Sequence, residues 1–305
     1  MDRPPDTKAR SLRELIRKQT VVLPGAFNAL TAMQIEQAGF QALYISGAAL
    51  SAGRGVPDIG LLSLTEMASD AGTIARSVEI PALADADTGY GPPLTVMRTV
   101  VEFERAGLAA IQLEDQDDPK KCGHLPRKQV VPTAEMVSKV RAAVQARRDP
   151  SFMIVARTDA RAVHDLEEAV RRGIAYAEAG ADALFPEALE SAEEFRTYAR
   201  EMTKAGATVP LVANMTEFGR SPYLSVAEFE SLGYKVILFP VSTLRVAAKA
   251  VEEFLADLRA HGTQQQSLSR MQTRRQLYDL LRYDEYERQE KDLRDNQKAK
   301  RQSQQ

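Results

Sequence analysis

Cysteine is almost missing from this chain: Cys122 is the only one in 305 residues. A single thiol rules out an internal disulfide and suits a reducing, cytoplasmic setting. No apolar run approaches 18 residues, so no membrane span is expected, and residues 1–19 are charged without an apolar core, so no signal peptide is read there. An excess of one charge is missing too. Lysine plus arginine number 40 against 42 acidic residues, a net charge of −2, which argues against nucleic acid or an anionic membrane as the main partner. Tryptophan is absent, which decides nothing. What the chain does have is 44% hydrophobic residues, ample core material for one large domain.

Short apolar runs recur along its length: Val21–Leu23, Ala42–Ile45, Ala82–Ala84, Ala110–Leu113, Phe152–Val155, Ala183–Phe185, Leu211–Ala213 and Val236–Phe239. Glycine precedes several of them, at Gly39, Gly107, Gly180 and Gly233, where it would end a helix and release the chain. Eight alternations of strand and helix predict an α/β fold, a (β/α)8 barrel of the TIM type, whose strands are buried on both faces. An open doubly wound sheet is the alternative.

Polar residues follow every run: Asn28, Ser46-Gly47, Asp85 and Asp87, Glu114-Asp115, Arg157 to Asp159, Glu187, Asn214 and Thr216, then Ser242, Thr243 and Arg245. In a barrel these ends share one mouth, the face that carries the active site. Two connections are longer than the rest, about 46 to 81 and about 115 to 151, and the second is a candidate mobile lid. Inside it lies Asp118–Lys128, a polar stretch that seats Cys122 between Lys121 and His124, with Gly123 allowing the backbone to bend. Nearby cations lower a thiol's pKa toward neutrality, which makes Cys122 a candidate acid, base or nucleophile, the other reading being a buried structural cysteine.

Asp85 and Asp87, two apart at a strand end, would point the same way and repel unless a cation is shared between them. A hard divalent ion such as Mg2+ suits such oxygen ligands, with Glu114 and Asp115 able to join from the next strand. Arg157 and Arg245 are candidates for bidentate grip of a carboxylate, against the alternative of structural ion pairs with Asp159 or Glu187. Tyr44 is most simply a strand aromatic in the core. His164 is expected on the surface and His261 in a linker, without a role. Past the eighth helix, near 246–258, residues 267–293 read as a helix with an apolar stripe that includes Leu277, Leu280 and Leu281. It covers either its own barrel or another subunit. One domain is expected over residues 1–293, followed by a disordered tail from about 294.

Taken together, Lys120-Lys121-Cys122-Gly123-His124, Asp85-Ala86-Asp87-Thr88-Gly89-Tyr90-Gly91, Glu114-Asp115-Gln116, Ala156-Arg157-Thr158-Asp159, Phe185-Pro186-Glu187-Ala188 and Met271-Gln272-Thr273-Arg274 resemble the isocitrate lyase and phosphoenolpyruvate mutase superfamily over about residues 10–290. The cysteine motif places the likeness in the lyase branch. The resemblance implies Mg2+, with Mn2+ as a possible substitute, held by Asp85 and Asp87 with Glu114 through water. It implies a substrate shell of Ser46, Gly47, Ala48, Cys122, Gly123, Arg157, Glu187, Asn214, Thr216, Arg245 and Arg270, with Phe185, Leu238 and Pro240 around a methyl group. Its implied chemistry is retro-Claisen cleavage of 2-methylisocitrate, a small tricarboxylate, to pyruvate and succinate. Cys122 would protonate the leaving carbon, Tyr44, its phenol acidified by nearby cations, would handle the hydroxyl proton, and His124 would belong to the catalytic group. Alternatives on the same barrel are isocitrate cleavage, oxaloacetate decarboxylation and dimethylmalate cleavage; an inactive binding barrel is disfavoured by the complete residue set. The family also implies a homotetramer with exchanged C-terminal helices. Ala48-Ala49, where many relatives carry glycines, and Thr88-Gly89-Tyr90, where an Ile-Gly-Phe form occurs, depart from the pattern and bear on substrate preference.

Overall fold

The computed structural model describes residues 7–121, 123 and 127–302, with side chains described to residue 296. In chain order the first elements are α1 (Lys8–Lys18), β1 (Val21–Pro24), α2 (Ala29–Gln37), β2 (Leu43–Ile45), α3 (Gly47–Gly53), α4 (Leu64–Arg76), β3 (Ala82–Asp85), α5 (Pro93–Arg105) and β4 (Ala110–Glu114). Then come α6 (Thr133–Ala146), β5 (Met153–Thr158), α7 (Ala160–Val163), α8 (Leu166–Glu178), β6 (Ala183–Pro186), α9 (Ala192–Lys204), β7 (Val212–Asn214), α10 (Val226–Ser231), β8 (Val236–Phe239) and α11 (Ser242–His261). A 3₁₀ turn (Gln265–Arg270) leads into α12 (Arg274–Leu280) and α13 (Tyr283–Gln302).

All the strand pairings are parallel, in the orders β1-β8-β7 and β2-β3-β4-β5-β6. Parallel bridges Gly25–Tyr44 and Leu184–Leu211 join the two ladders, so the sheet closes on itself. First strand beside last is what an open doubly wound sheet cannot give, and the fold is a (β/α)8 barrel of the TIM type. Each strand coincides with one of the eight apolar runs, because a strand covered by helices outside and packed against side chains inside leaves no polar face to break its run. The four helix-ending glycines sit at φ of +87° to +102°, the conformation the sequence reading assigned them.

The interior is one continuous apolar cluster, from Ala9, Leu12 and Ile16 of α1 to Val236, Ile237 and Leu238 of β8. Helix α1 falls in the charged segment for which no element was foreseen. Its Arg13 donates to the Ser151 carbonyl at 2.6 Å and pairs with Asp182 at 2.7 Å, both just ahead of strands β5 and β6, so α1 lies across the N-terminal ends of the barrel. Phe195, Phe229 and Tyr234 pack edge to face with centroids 5.1–5.9 Å apart and lock α9, α10 and the entry to β8 together.

The chain divides into two compact units, Met1–Val246 and Ala247–Gln305, where a single domain to residue 293 was expected. Within the second, the single helix expected over 267–293 is instead a 3₁₀ turn and two α-helices, broken at Arg282 with φ +56°. Helix α13 runs on to Gln302, through residues expected to form a disordered tail; its abundant Glu, Lys, Arg and Gln are good helix formers. Among the described residues no helix is long and apolar enough to cross a membrane.

Candidate active site

The C-terminal ends of β2 to β8 do bring polar side chains together. Asp85 ends β3 and is buried; its Oδ1 accepts from the Asp87 amide at 3.0 Å and from Gln112 at 3.3 Å. Asp87 does not continue the strand as its spacing implied: it sits in a turn at φ +47°, a conformation aspartate tolerates better than most residues. The two carboxylates still converge. A Cβ built on Gly47 would stand 3.0 Å from Asp85 Oδ2 and 3.2 Å from Asp87 Oδ1, so both line the start of α3, where Ser46, Gly47 and Ala48 lie. Lys120 Nζ approaches Asp87 Oδ1 at 2.6 Å and also holds Asp58. Burial, with Asp85 second, pushes the Asp87 carboxyl up to about 7 against the pull of Lys120.

Glu114 closes β4 at 1% exposure, facing Arg157 at 3.3 Å, while its buried Oε1 has no hydrogen-bond partner. Burial drives its pKa well above the ordinary range although Arg157 opposes the shift. Among the described residues no three His, Cys, Asp or Glu side chains are gathered closely enough to enclose an ion alone. What the site offers is two aspartates, a third carboxylate with a spare buried oxygen, and a side of Gly47 that a Cβ would crowd. This all-oxygen, negatively charged set fits an ion such as Mg2+ that keeps several waters.

Arg157 forms the ion pairs weighed beside a substrate grip: its guanidinium fork holds Asp159 at 2.9 and 3.1 Å, with Glu187 at 3.8 Å. Asn214 Nδ2 in turn donates to Glu187 at 3.1 Å. Arg245 is half exposed, 3.4 Å from Glu217 and stacked over Phe218, so it remains accessible to a carboxylate. Tyr44 corrects an expectation. Its buried hydroxyl donates to Gln112 Oε1 at 2.7 Å, and burial, then Asp85, push the phenol well above its ordinary pKa, with Arg157 too weak a counterweight. The acidified phenol expected from nearby cations is not what this environment makes.

Gly123 rests directly on this floor: a Cβ there would meet Arg157 Nη2 at 2.4 Å and Glu187 Oε1 at 2.6 Å. Cys122 and His124 lie outside the described residues. Arg270 belongs to the second unit and pairs there with Asp257 at 2.7 Å and Glu253 at 3.3 Å. Tyr44, Ala48, Asp85, Glu114, Gly123, Arg157, Phe185, Glu187, Asn214, Thr216, Leu238, Pro240 and Arg245 line one cavity of about 90 Å³. That is well below the ~300 Å³ at which ligand sites usually begin. A wider cleft of about 740 Å³ at the opposite ends of the strands, beside Arg13 and Asp182, holds none of the site residues. His164 is exposed, as read from the sequence, whereas His261, read as part of a linker, is exposed at the last position of α11.

Two participants escaped the sequence reading, and a third was given another role. Gln112 bridges Tyr44, Asp85 and Glu114, and the one signal was a polar residue inside an otherwise apolar strand. Asp58 reaches Lys120 from the long connection after β2. Asp115, read as a possible metal neighbour, instead anchors the frame behind the site: it accepts from Thr158 Oγ1 at 2.7 Å, the Asp159 amide at 2.8 Å, Tyr176 at 2.7 Å and Arg172 at 3.0 Å.

Residues 12–259 match the phosphoenolpyruvate phosphomutase family. The chain belongs to this family. Among its members, the 2-methylisocitrate lyase of Aeropyrum pernix is 50% identical over 283 residues, 92% of this chain and 90% of that one. A crystal structure of 2,3-dimethylmalate lyase, described as a PEP mutase/isocitrate lyase superfamily member, superposes with a TM-score of 0.87 at 37% identity, covering 93% of this chain and 95% of its own. Phosphonopyruvate hydrolase in complex with oxalate and Mg++ superposes with a TM-score of 0.83 at 33% identity, covering 93% and 97%.

The Asp115 frame generates a stability prediction. Asp115→Ala strips the buried Arg172 and Tyr176 of their shared acceptor and should cost about 3–5 kcal/mol, the scale of breaking a buried ion pair from one side. Urea unfolding of the variant measures it, and a loss below ~1 kcal/mol contradicts the assigned role.

Proposed function

We propose that this chain is a 2-methylisocitrate lyase: a Mg2+-dependent carbon–carbon lyase that splits its substrate into pyruvate and succinate. The observation that carries the reading is the joint presence at one barrel mouth of the Asp85, Asp87 and Glu114 carboxylates, the Arg157–Glu187–Asn214 floor and Gly123 seated on that floor. Half-identity to a 2-methylisocitrate lyase over nine-tenths of the chain supports the substrate assignment.

Asp85 and Asp87, with Glu114 through water, would hold Mg2+, which when bound supplies Lewis-acid charge to the substrate's hydroxycarboxylate and to the keto acid it becomes. The chain's own residues then divide the remaining work. Arg157, held charged by Asp159, Glu114 and Glu187 against the effect of burial, gives the floor a fixed positive charge toward developing carboxylate charge. Arg245 is the guanidinium placed to turn onto a substrate carboxylate, and Arg270 is retained as a further ligand on the family resemblance. Asn214 and Thr216 fill out the polar wall, while Phe185, Leu238 and Pro240 give an apolar side that suits a methyl group. The hydroxyl gives up its proton, Tyr44 being the acceptor that the family resemblance implies, the carbon–carbon bond breaks, and its electron pair passes to the succinate carbon. Cys122 donates the proton that carbon needs, a role resting on its cation-rich sequence context. Tyr44, whose hydroxyl donates to Gln112, is the group the family resemblance gives for the hydroxyl proton; burial and Asp85 hold its phenol up without the ion, and bound Mg2+ would act the other way.

The assay is keto acid release from 2-methylisocitrate, isocitrate and 2,3-dimethylmalate by purified protein with Mg2+. 2-Methylisocitrate should give the highest kcat/KM, and Cys122→Ser should bind it while turning over at least ~10²-fold more slowly, the scale of losing a general acid. A preference for 2,3-dimethylmalate, in line with the superposed structure, would reassign the substrate.

Assembly and location belong to the same reading: a cytoplasmic homotetramer in which C-terminal helices exchange between subunits. Helix α11 buries none of its 20 residues, and Val251 and Leu255, one turn apart on it, are each 55% exposed, an apolar strip that another copy of the chain would cover. Light scattering should show a tetramer for the full chain and a smaller, impaired species after truncation at Gly262. A full-length monomer with normal turnover would contradict the exchange.

A further inference from the structure

Lys128 carries a contact that the lyase reading leaves unused. Its side chain is 1% exposed, and its Nζ lies 2.5 Å from Asp159 Oδ1 and donates to the Gly123 carbonyl oxygen. An ammonium this deeply buried is tolerated only where acceptors surround it. Both acceptors belong to the site. Asp159 is the carboxylate that holds both sides of the Arg157 fork, and Gly123 is the residue whose missing Cβ lets the backbone rest on Arg157 and Glu187. One side chain therefore ties the connection after β4 to the end of β5. It ties them through the carboxylate that also fixes the guanidinium.

The geometry points to Lys128 as a positioning residue: a latch that holds Gly123 down on the Arg157–Glu187 floor while supplying Asp159 with its second cation. The inference rests on the lyase reading for its kinetic consequence and on the structure alone for its mechanical one. Gly123, Arg157 and Glu187 all line the cavity that would hold the substrate, so the latch fixes the geometry in which the reaction runs. Losing it should therefore lower kcat far more than it raises KM. Two partners are left short by the loss, the Gly123 carbonyl without a donor and Asp159 with Arg157 alone, so the effect should be local to the mouth.

The test compares the full-length parent with Lys128→Met and Lys128→Arg, each with Mg2+ and 2-methylisocitrate, and adds hydrogen exchange without substrate. For Lys128→Met, kcat is expected to fall at least ~10-fold with KM changed less than ~3-fold. Amide exchange in a peptide spanning residues 117–129 should quicken at least ~10-fold while peptides from β6 and β7 stay as in the parent. Lys128→Arg, which keeps charge and donors, should recover most of both. If Lys128→Met does not fold, Lys128→Gln, which keeps a donor for Gly123 but no charge for Asp159, is read by the same criteria. Unchanged exchange over 117–129, exchange quickened evenly across the barrel, or a kcat within twofold of the parent would overturn the latch. A parent without lyase turnover would refute the lyase reading instead, and the exchange data would still decide on Lys128.

Discussion

Burying carboxylates is costly unless each finds a cation or a set of donors, and the mouth of this barrel buries more of them than it neutralises. Asp58, Asp85, Asp87, Glu114, Asp115, Asp159 and Glu187 meet there or just behind, against Lys120, Lys128, Arg157 and Arg172. The imbalance is not spread evenly. Behind the floor, Asp115 and Asp159 are matched closely by Arg172, Arg157 and Lys128, with hydroxyls and amides completing their shells. In front, Asp85, Asp87 and Glu114 have Lys120 and one shared side of Arg157, and burial holds the carboxyls of Asp87 and Glu114 up against the pull of those cations. A rigid, neutralised back and an undercharged front are what a site needs if it is to take up a divalent ion and then a polyanion.

The fold explains why these groups can be held so close. Asp85, Glu114, Arg157, Glu187 and Asn214 come from the ends of five successive parallel strands, and strand register fixes their heights: Glu114 lies beside Arg157 in the β4–β5 pairing, and Asp85 beside Gln112 in the β3–β4 pairing. Helix α1 and the apolar cluster make the other end of the barrel the stabilising one. Conflict among like charges at the mouth is thereby offset by packing elsewhere, a division common to barrels of this type.

Much of this was legible in the residues. The eight strands were readable because burial on both faces writes each as an unbroken apolar run, and the converging polar ends followed from chain order alone. Contacts between distant segments were not readable. Nothing near Asp58 or Lys128 in sequence announces that the first pairs with Lys120 or that the second pairs with Asp159, because such pairs are decided by how connections fold back over the mouth. Local rules also failed where geometry overrode them: Asp87 leaves the strand alternation at φ +47°, and Tyr44 is so deeply buried that the protein's own cations do not acidify it. The C-terminal helices broke at Arg282, whose left-handed backbone no composition signal marks.

The central claim is that the undercharged front of the mouth is a divalent-cation site. Calorimetric titration of Mg2+ into the purified full chain, and into Asp85→Asn and Asp87→Asn variants, tests it without reference to turnover. One Mg2+ bound per chain, with affinity lowered at least ~10-fold in each variant, is the predicted result. No measurable binding, or binding that both variants leave unchanged, would contradict it.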